Sequence, residues 1–277
     1  MRLGGPIFTQ SRDPDEIARA HRAEGYRAGY CPGWLTVDDT DAVRALREAF
    51  DRHDVVLAEV GAWGHIIHPD RAEALRNRER VVERLALADA LGARCCVDYT
   101  GSYGTDWYHP RNLSEEAFEE IVEVTRALID RVRPTRTVFA LEMMPSVHPE
   151  NPDDYLRLLA AVDRPGQFGV HLDPVNVVDS PSRYYDTGAV IRECFEKLGP
   201  HIVSCHAKDV TVGKEFILHL DECRPGTGTL DYGAYLTELS RLPQEPPLML
   251  EHLPNADEYR AARDYIAGVA AGLGIET

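Results

Sequence analysis

Short apolar or β-branched runs alternate with longer charged segments along the whole chain. The runs are LGGPIF (3–8), AGYC (28–31), DVVLAEV (54–60), RCCVDY (94–99), TVFALEM (137–143), QFGVHLD (167–173), HIVSCH (201–206) and PLMLEH (247–252). They have strand length and the near-continuous apolar character of strands covered on both faces. The segments between them place apolar residues three and four apart, which is the helical period. SEEAFEEIVEVTRALIDRV (114–132) opens on a Ser114 N-cap with acids in its first turn, where the helix dipole favours them. RDPDEIARAHRAEG (12–25) begins at Asp13-Pro14 and stops at Gly25. Eight such strand–helix units predict a (β/α)8 TIM barrel, one domain over residues 1–277. The alternative, an open doubly wound sheet, would carry Gly-x-Gly-x-x-Gly after its first strand, and the sequence has none there.

In this fold, active sites form at the C-terminal ends of the strands. Four successive strands end in a side chain that can bind metal: Glu142 in ALEMMP, Asp173 in HLDPVN, His206 in SCHAKD and Glu251 in LEHLP. A charged carboxylate in an apolar strand costs several kcal/mol unless it is paired, so three converging acids need a cation, protons or basic partners. Each acid alone could be a strand-end salt bridge. Together with the imidazole they form a mostly hard, oxygen-rich donor set, which points to a divalent metal, Mn²⁺ first, with Mg²⁺, Co²⁺ or Zn²⁺ as alternatives. Strand alternation places His171 on the same face as Asp173, as a support for the site or an interior histidine. Lys208, two residues after His206, either neutralises an oxyanion or bridges to Asp209 or another acid. The loop TGSYGTDWYHPRNLS (100–114) gathers Tyr103, Trp107, Tyr108 and His109, either as a wall for sugar C–H groups or as a small core of its own. Trp34 and Trp63, beyond strands two and three, either extend that wall or cover the barrel rim.

The formal charge of −16 opposes binding to a phosphate backbone, so a small molecule is expected as partner and nucleic acid is not. No run approaches membrane-spanning length, and the residues after Met1 turn polar within the first ten, so a cytoplasmic protein without membrane association is expected. The six cysteines show no Cys-x-x-Cys spacing and read as buried free thiols. A homo-oligomer is expected, and a second subunit completing the site stays open.

The order Glu142, Asp173, His206, Glu251 on the last four strands, with GTGTLDYGAYL (226–236) between the last two, similar to the Gly-x-Gly segment before the family's seventh helix, resembles the xylose-isomerase-like barrel superfamily of sugar isomerases and epimerases, related to endonuclease IV. The resemblance covers essentially the whole chain. In its ketose 3-epimerases the two matching glutamates bind metal and also shuttle protons on opposite faces of the sugar, which implies those roles for Glu142 and Glu251. The sequence departs from these epimerases at three substrate-holding positions. His148 stands where they have a second glutamate, Asn176 where they have a histidine, and Val212 where they have an arginine. Asn176 therefore stays a candidate for substrate binding with Trp34, Trp107 and His109, while a free ketohexose is a poor expected substrate. The endonuclease IV branch needs a histidine-rich trinuclear zinc site, for which His65, His68, His109 and His219 are the available residues. A further branch, metal-dependent subunits that cleave 3-oxo-glycosides, including C-glycoside deglycosidases, can use a histidine shortly after the first glutamate as base, and His148 fits that position. The expected function is divalent-metal-dependent proton abstraction next to a carbonyl of a sugar or keto-sugar, with Glu142, Glu251, His148 and Lys208 as candidate catalytic residues. The alternatives are a lyase acting on 3-oxo-glycosides and a metal-binding barrel serving as a non-catalytic subunit.

Overall fold

The computed structural model describes all 277 residues. Eight parallel strands close into a barrel: β1 (Leu3–Gly4), β2 (Ala28–Tyr30), β3 (Val56–Gly61), β4 (Cys95–Asp98), β5 (Val138–Glu142), β6 (Phe168–Leu172), β7 (Ile202–Ala207) and, closing against β1, β10 (Leu248–Leu250). Each of the eight apolar runs coincides with one of these strands, β3 and β7 extending one residue past the end of theirs. The barrel closes where Leu3 pairs with Leu248 and Gly4 with both Met249 and Ala28. A side chain on Gly4 would meet the Ala28 carbonyl oxygen and Met249 Sδ, so the seam requires glycine. Between β7 and β10 lies an element that the sequence pattern did not predict, the antiparallel hairpin β8 (Asp209–Val212) and β9 (Leu220–Cys223).

Helices α1 (Pro14–Ala23), α2 (Thr40–Arg52), α3 (Arg71–Leu91), α4 (Glu115–Val132), α5 (Pro152–Val162), α6 (Pro181–Tyr185), α7 (Thr187–Leu198), α8 (Tyr232–Ser240) and α9 (Ala256–Gly272) complete the chain. Their ends follow local chemistry. Asp13 accepts from the Glu16 amide with Pro14 in the first turn, Ser114 accepts from the Ala117 amide, and Asp70 accepts from Ala72 and Glu73 at the start of α3. Most of the buried apolar residues form one cluster of 61. All six cysteines are free, and five are buried. No helix is long and apolar enough to cross a membrane.

Tyrosine hydroxyls from the helices and from β2 fix the strand ends that carry the site. Tyr155 on α5 lies 2.6 Å from the Leu141 carbonyl oxygen and 2.7 Å from that of Gly169, so one hydroxyl spans β5 and β6. On α8, Tyr235 donates to the His206 carbonyl at 2.8 Å and Tyr232 to that of Lys208 at 2.7 Å. Tyr30 donates to the Leu250 carbonyl at 3.1 Å. Each bond gives a backbone oxygen of the barrel a side-chain partner, and a buried polar atom left without one is costly. Tyr155→Phe should therefore lower stability by about 1–3 kcal/mol in equilibrium urea unfolding, because burial persists while the polar partner is lost. A loss near zero would show that water or backbone movement replaces the hydroxyl.

Candidate metal centre

At the C-terminal mouth, the strand ends bring Glu142, Asp173, His206 and Glu251 together with one donor atom from each lying within 4.8 Å of all the others. Neighbouring groups turn the side chains inward. Asp173 Oδ1 accepts from the Val175 amide at 3.0 Å, which leaves Oδ2 for the centre. Asn176 Nδ2 donates to Glu142 Oε1 and to the Met143 carbonyl, both at 3.0 Å. His206 Nδ1 faces Glu251 Oε1 at 2.8 Å and Glu142 Oε1 at 3.3 Å.

Beneath this ring lies Glu59 of β3, which sequence reasoning did not single out. It is 1% exposed and faces His206 Nε2 at 3.4 Å and His171 Nε2 at 3.1 Å, and it accepts from Ser204 Oγ at 2.5 Å. Burial alone would push the His206 pKa down, but the carboxylates of Glu251, Glu59 and Glu142 outweigh it and hold the imidazole protonated. Ligation through Nδ1 requires that proton to leave, and Glu59 would keep the remaining one on Nε2, the usual carboxylate–histidine support of a metal ligand. Burial likewise opposes ionisation of Glu59, yet its two histidines hold its pKa far below the ordinary value. The detectable signal in the sequence was a single acid inside an otherwise apolar strand.

Lys208 supplies the second positive charge. Its Nζ lies 2.6 Å from Glu251 Oε1, 2.9 Å from Asp173 Oδ2, 3.4 Å from Glu222 Oε2 and 4.0 Å from Glu142 Oε1. Burial pulls the lysine pKa down, but these four acids push it above its ordinary value. Burial also raises Glu251, but His206 and Lys208 more than offset it and hold the pKa at about 2. Asp173 goes the other way, raised by burial and by the nearby Glu142 and Glu251 against the pull of Lys208. Asp173 Oδ2 and Glu251 Oε1 are buried and accept no aligned hydrogen bond despite these close charges. Three carboxylates and an imidazole with two buried oxygens left without hydrogen bonds fit a divalent cation. Asp209, the alternative partner for Lys208, is already taken. Its carboxylate accepts from the amides of Gly226, Gly228 and Leu230 and so anchors the turn before α8.

The centre opens into a cavity of about 630 Å³ walled by Tyr30, Trp63, Tyr99, Trp107 and Tyr259, with Glu142, Lys208, Glu251 and His252 among its polar lining. Trp63 lies over Gly61, where any side chain would collide with the indole. Asp98, its pKa raised by burial, holds the next turn by accepting from the Gly64 amide at 2.8 Å. Trp63 and His252 both have positive φ, 47° and 57°, which non-glycine residues adopt rarely and often at functional sites. His252 Nδ1 lies 3.1 Å from Glu222 of the hairpin, and its Nε2 lies 3.5 Å from Glu251 Oε2.

The remaining candidates are placed elsewhere. His148 does not line this cavity. Its Nδ1 pairs with Asp154 at 2.6 Å, and its ring packs edge-on to Phe118. Burial pulls its pKa down, and Asp154 more than compensates. That position does not suit a base acting in the cavity. Asn176 orients Glu142 and does not line the cavity, whereas Trp107 does. Trp34 lies in an adjoining cavity of about 240 Å³ that shares Pro6 and Tyr30 with the first. His109 accepts from the Arg111 amide at the start of a 3₁₀ turn, on another cavity. His171 is fully buried against Glu59. His65, His68, His109 and His219 join no cluster of metal-capable donors.

The fold and site together define a (β/α)8 barrel with a divalent-cation donor set at its C-terminal mouth. The chain belongs to the xylose isomerase-like TIM barrel family, whose model matches residues 18–268. Among solved structures it resembles endonuclease IV from Thermus thermophilus (TM-score 0.72, 16% identity, 98% of this chain and 100% of that one). It also resembles the 3-keto-D-glucoside 4-epimerase YcjR from E. coli (TM-score 0.66, 15% identity, 98% and 99%). A third is a xylose isomerase-like TIM barrel protein from Mycobacterium smegmatis in complex with magnesium (TM-score 0.66, 18% identity, 93% and 88%). At these identities the likeness is one of fold. No curated protein matches the chain.

Asp173→Ala removes one donor from the centre. It should lose tightly bound divalent metal in elemental analysis, together with the rise in Tm that added metal gives the unmodified protein. That rise is worth about 2.7 kcal/mol when free metal is 100 times its Kd. Unchanged metal content in the variant would contradict the assignment.

Proposed function

We propose that this protein is a divalent-metal-dependent enzyme that moves a proton at a carbon next to a carbonyl of a sugar or keto-sugar, in the manner of an isomerase or epimerase. The observation that carries this reading is the placement of Glu142 and Glu251 in both the donor cluster and the lining of the aromatic cavity. A proton-transfer residue must reach both the centre and the substrate. The neighbours support the chemistry: YcjR is a 3-keto-D-glucoside 4-epimerase, and the M. smegmatis protein holds magnesium. When bound, a divalent cation, Mn²⁺ being the ion this donor set suits first, supplies Lewis-acid polarisation of a carbonyl and adjacent hydroxyl.

The chain's own residues do the rest. Tyr30, Trp63, Tyr99 and Trp107 stack on the sugar's C–H faces and exclude water. Glu142 and Glu251, at the C-terminal ends of different strands, offer carboxylates for taking a proton from one face and returning it to either. Lys208 places an ammonium beside the oxygen on which negative charge develops. His252, whose side chain is 60% exposed and adjoins Glu251, gives the abstracted proton a way to solvent. Proton transfer thus passes to the cavity groups and away from His148.

Deuterium wash-in tests the reading. In D₂O, the manganese-loaded protein should exchange the hydrogen next to the ketone of a 3-keto-glucoside. Glu142→Gln and Glu251→Gln should each slow exchange by about 10²-fold or more. His148→Ala should leave the rate within a few-fold of normal. Absence of exchange from a protein with stoichiometric metal, across a panel of keto-sugars, would favour the non-catalytic subunit. Loss of exchange in His148→Ala with metal and fold retained would return the base to that residue.

A further inference from the structure

A separate cavity of about 670 Å³ is formed by the segment leading into α3, by α3 and α4, and by the 100–114 loop. His68, Arg71, Arg78, His109 and Arg111 line it, and Glu120 is its only acid. In a chain of net charge −16, three arginines and two histidines around one concavity form a local reversal of sign. The arrangement is also held in place. Arg78 Nε donates to the Ile66 carbonyl at 2.8 Å and its Nη2 to Glu120 Oε1 at 2.9 Å. The Tyr103 hydroxyl donates to Glu120 Oε2 at 2.6 Å, and the Arg111 guanidinium lies over the Tyr103 ring at 4.0 Å. Glu120 is engaged by Arg78 and Tyr103, and Arg111 lies near enough to Glu120 and Glu116 to help lower both their pKa values without pairing with either. Neither Arg71 nor Arg111 has an ion-pair partner, and both are exposed.

Arg71 begins α3, whereas Arg111 sits in the 3₁₀ turn Pro110–Leu113 of the loop. The residue after Arg111, the buried Asn112, donates to the Trp107 carbonyl at 2.9 Å and accepts from the Tyr103 amide at 3.0 Å. One side chain therefore links the floor of this basic cavity to the tryptophan on the wall of the aromatic one. We propose that the basic cavity binds a phosphate group, inorganic or carried on a sugar, and that the bound anion clamps the 100–114 loop to α3 and fixes Trp107. Phosphate suits the site because its tetrahedral oxygens can accept from guanidiniums arriving from different elements, each by charge-assisted hydrogen bonds.

The test uses the metal-loaded, full-length protein. Potassium phosphate is titrated at constant ionic strength against potassium chloride, with tryptophan fluorescence and Tm as readouts, and glucose 6-phosphate is titrated in a parallel arm. Phosphate should give a saturable response that chloride does not. Arg71→Ala and Arg111→Ala should each weaken binding about 10-fold or more, the value of a lost charge-assisted hydrogen bond. Trp107→Phe should keep the Tm response while losing most of the fluorescence change. Tighter binding of glucose 6-phosphate would identify a sugar phosphate as the ligand, and equal binding the phosphate group alone. The double variant Arg71→Ala/Arg111→Ala separates this cavity from phosphate held at the metal centre. An unchanged response in that variant, or one that follows ionic strength alone, would overturn the proposal.

Discussion

Glu142 and Asp173, both buried, meet Glu251, whose side chain is 12% exposed, at one end of the barrel, and Glu222 reaches in from the β8–β9 hairpin. Carboxylates so placed repel one another and have lost most of their water, a penalty of several kcal/mol per ion unless positive charge sits among them. Two residues provide that charge. Lys208 touches Asp173 and Glu251, and His206 faces Glu142 and Glu251 while resting on Glu59 below. The surrounding architecture serves this balance. Tyr232 and Tyr235 pin the carbonyls of Lys208 and His206, Asn176 holds Glu142, and Asp209 secures the turn leading into α8. The same concentration of negative charge that demands an internal ammonium also makes the centre receptive to a divalent ion.

The eight barrel strands were legible because parallel strands buried on both faces leave continuous apolar runs, and eight such runs alternating with helical periods admit few closed arrangements. The four donor residues were legible for a related reason: an acid at the end of an apolar strand is conspicuous, and the fold places strand ends together. Glu59 is also an acid in an apolar run, but it lies within the strand, and its importance follows only from β3 facing β7 across the barrel. The register irregularity between Gly29 and Tyr30 further separates its position from simple alternation. The hairpin was missed because DVTV and LDEC are short, half-exposed strands, a weak pattern beside the barrel strands, and the apolar residues Phe216, Ile217 and Leu218 lie exposed in the turn between them.

His148 shows the limit of reading distance along the chain as distance in space. It follows Glu142 by six residues, but the loop carries it to the start of α5, where Asp154 takes its Nδ1 and Phe118 covers its ring. The cavity's imidazole is instead His252, which follows Glu251 directly and turns toward the opening through a positive φ. The aromatic wall was partly legible: Trp63 and Trp107 stood out as large rings in strand-end loops. Tyr30, Tyr99 and Tyr259 did not, since tyrosines beside strands and in helices are common core residues, and only closure of the barrel turns these toward one space.

Lys208 occupies the charge environment that a divalent ion would share, and two unit charges 4 Å apart interact by about 4 kcal/mol at an effective dielectric of 20. The direct test of the account is a calorimetric Mn²⁺ titration of Lys208→Met beside the unmodified protein. If the converging carboxylates form a cation centre whose negative charge the lysine and the metal share, the variant should bind Mn²⁺ about 10-fold or more tightly, and its metal-free form should unfold at a lower temperature. Equal or weaker Mn²⁺ binding by the variant with its fold intact, or no saturable Mn²⁺ binding by the unmodified protein, would contradict the metal-centre reading.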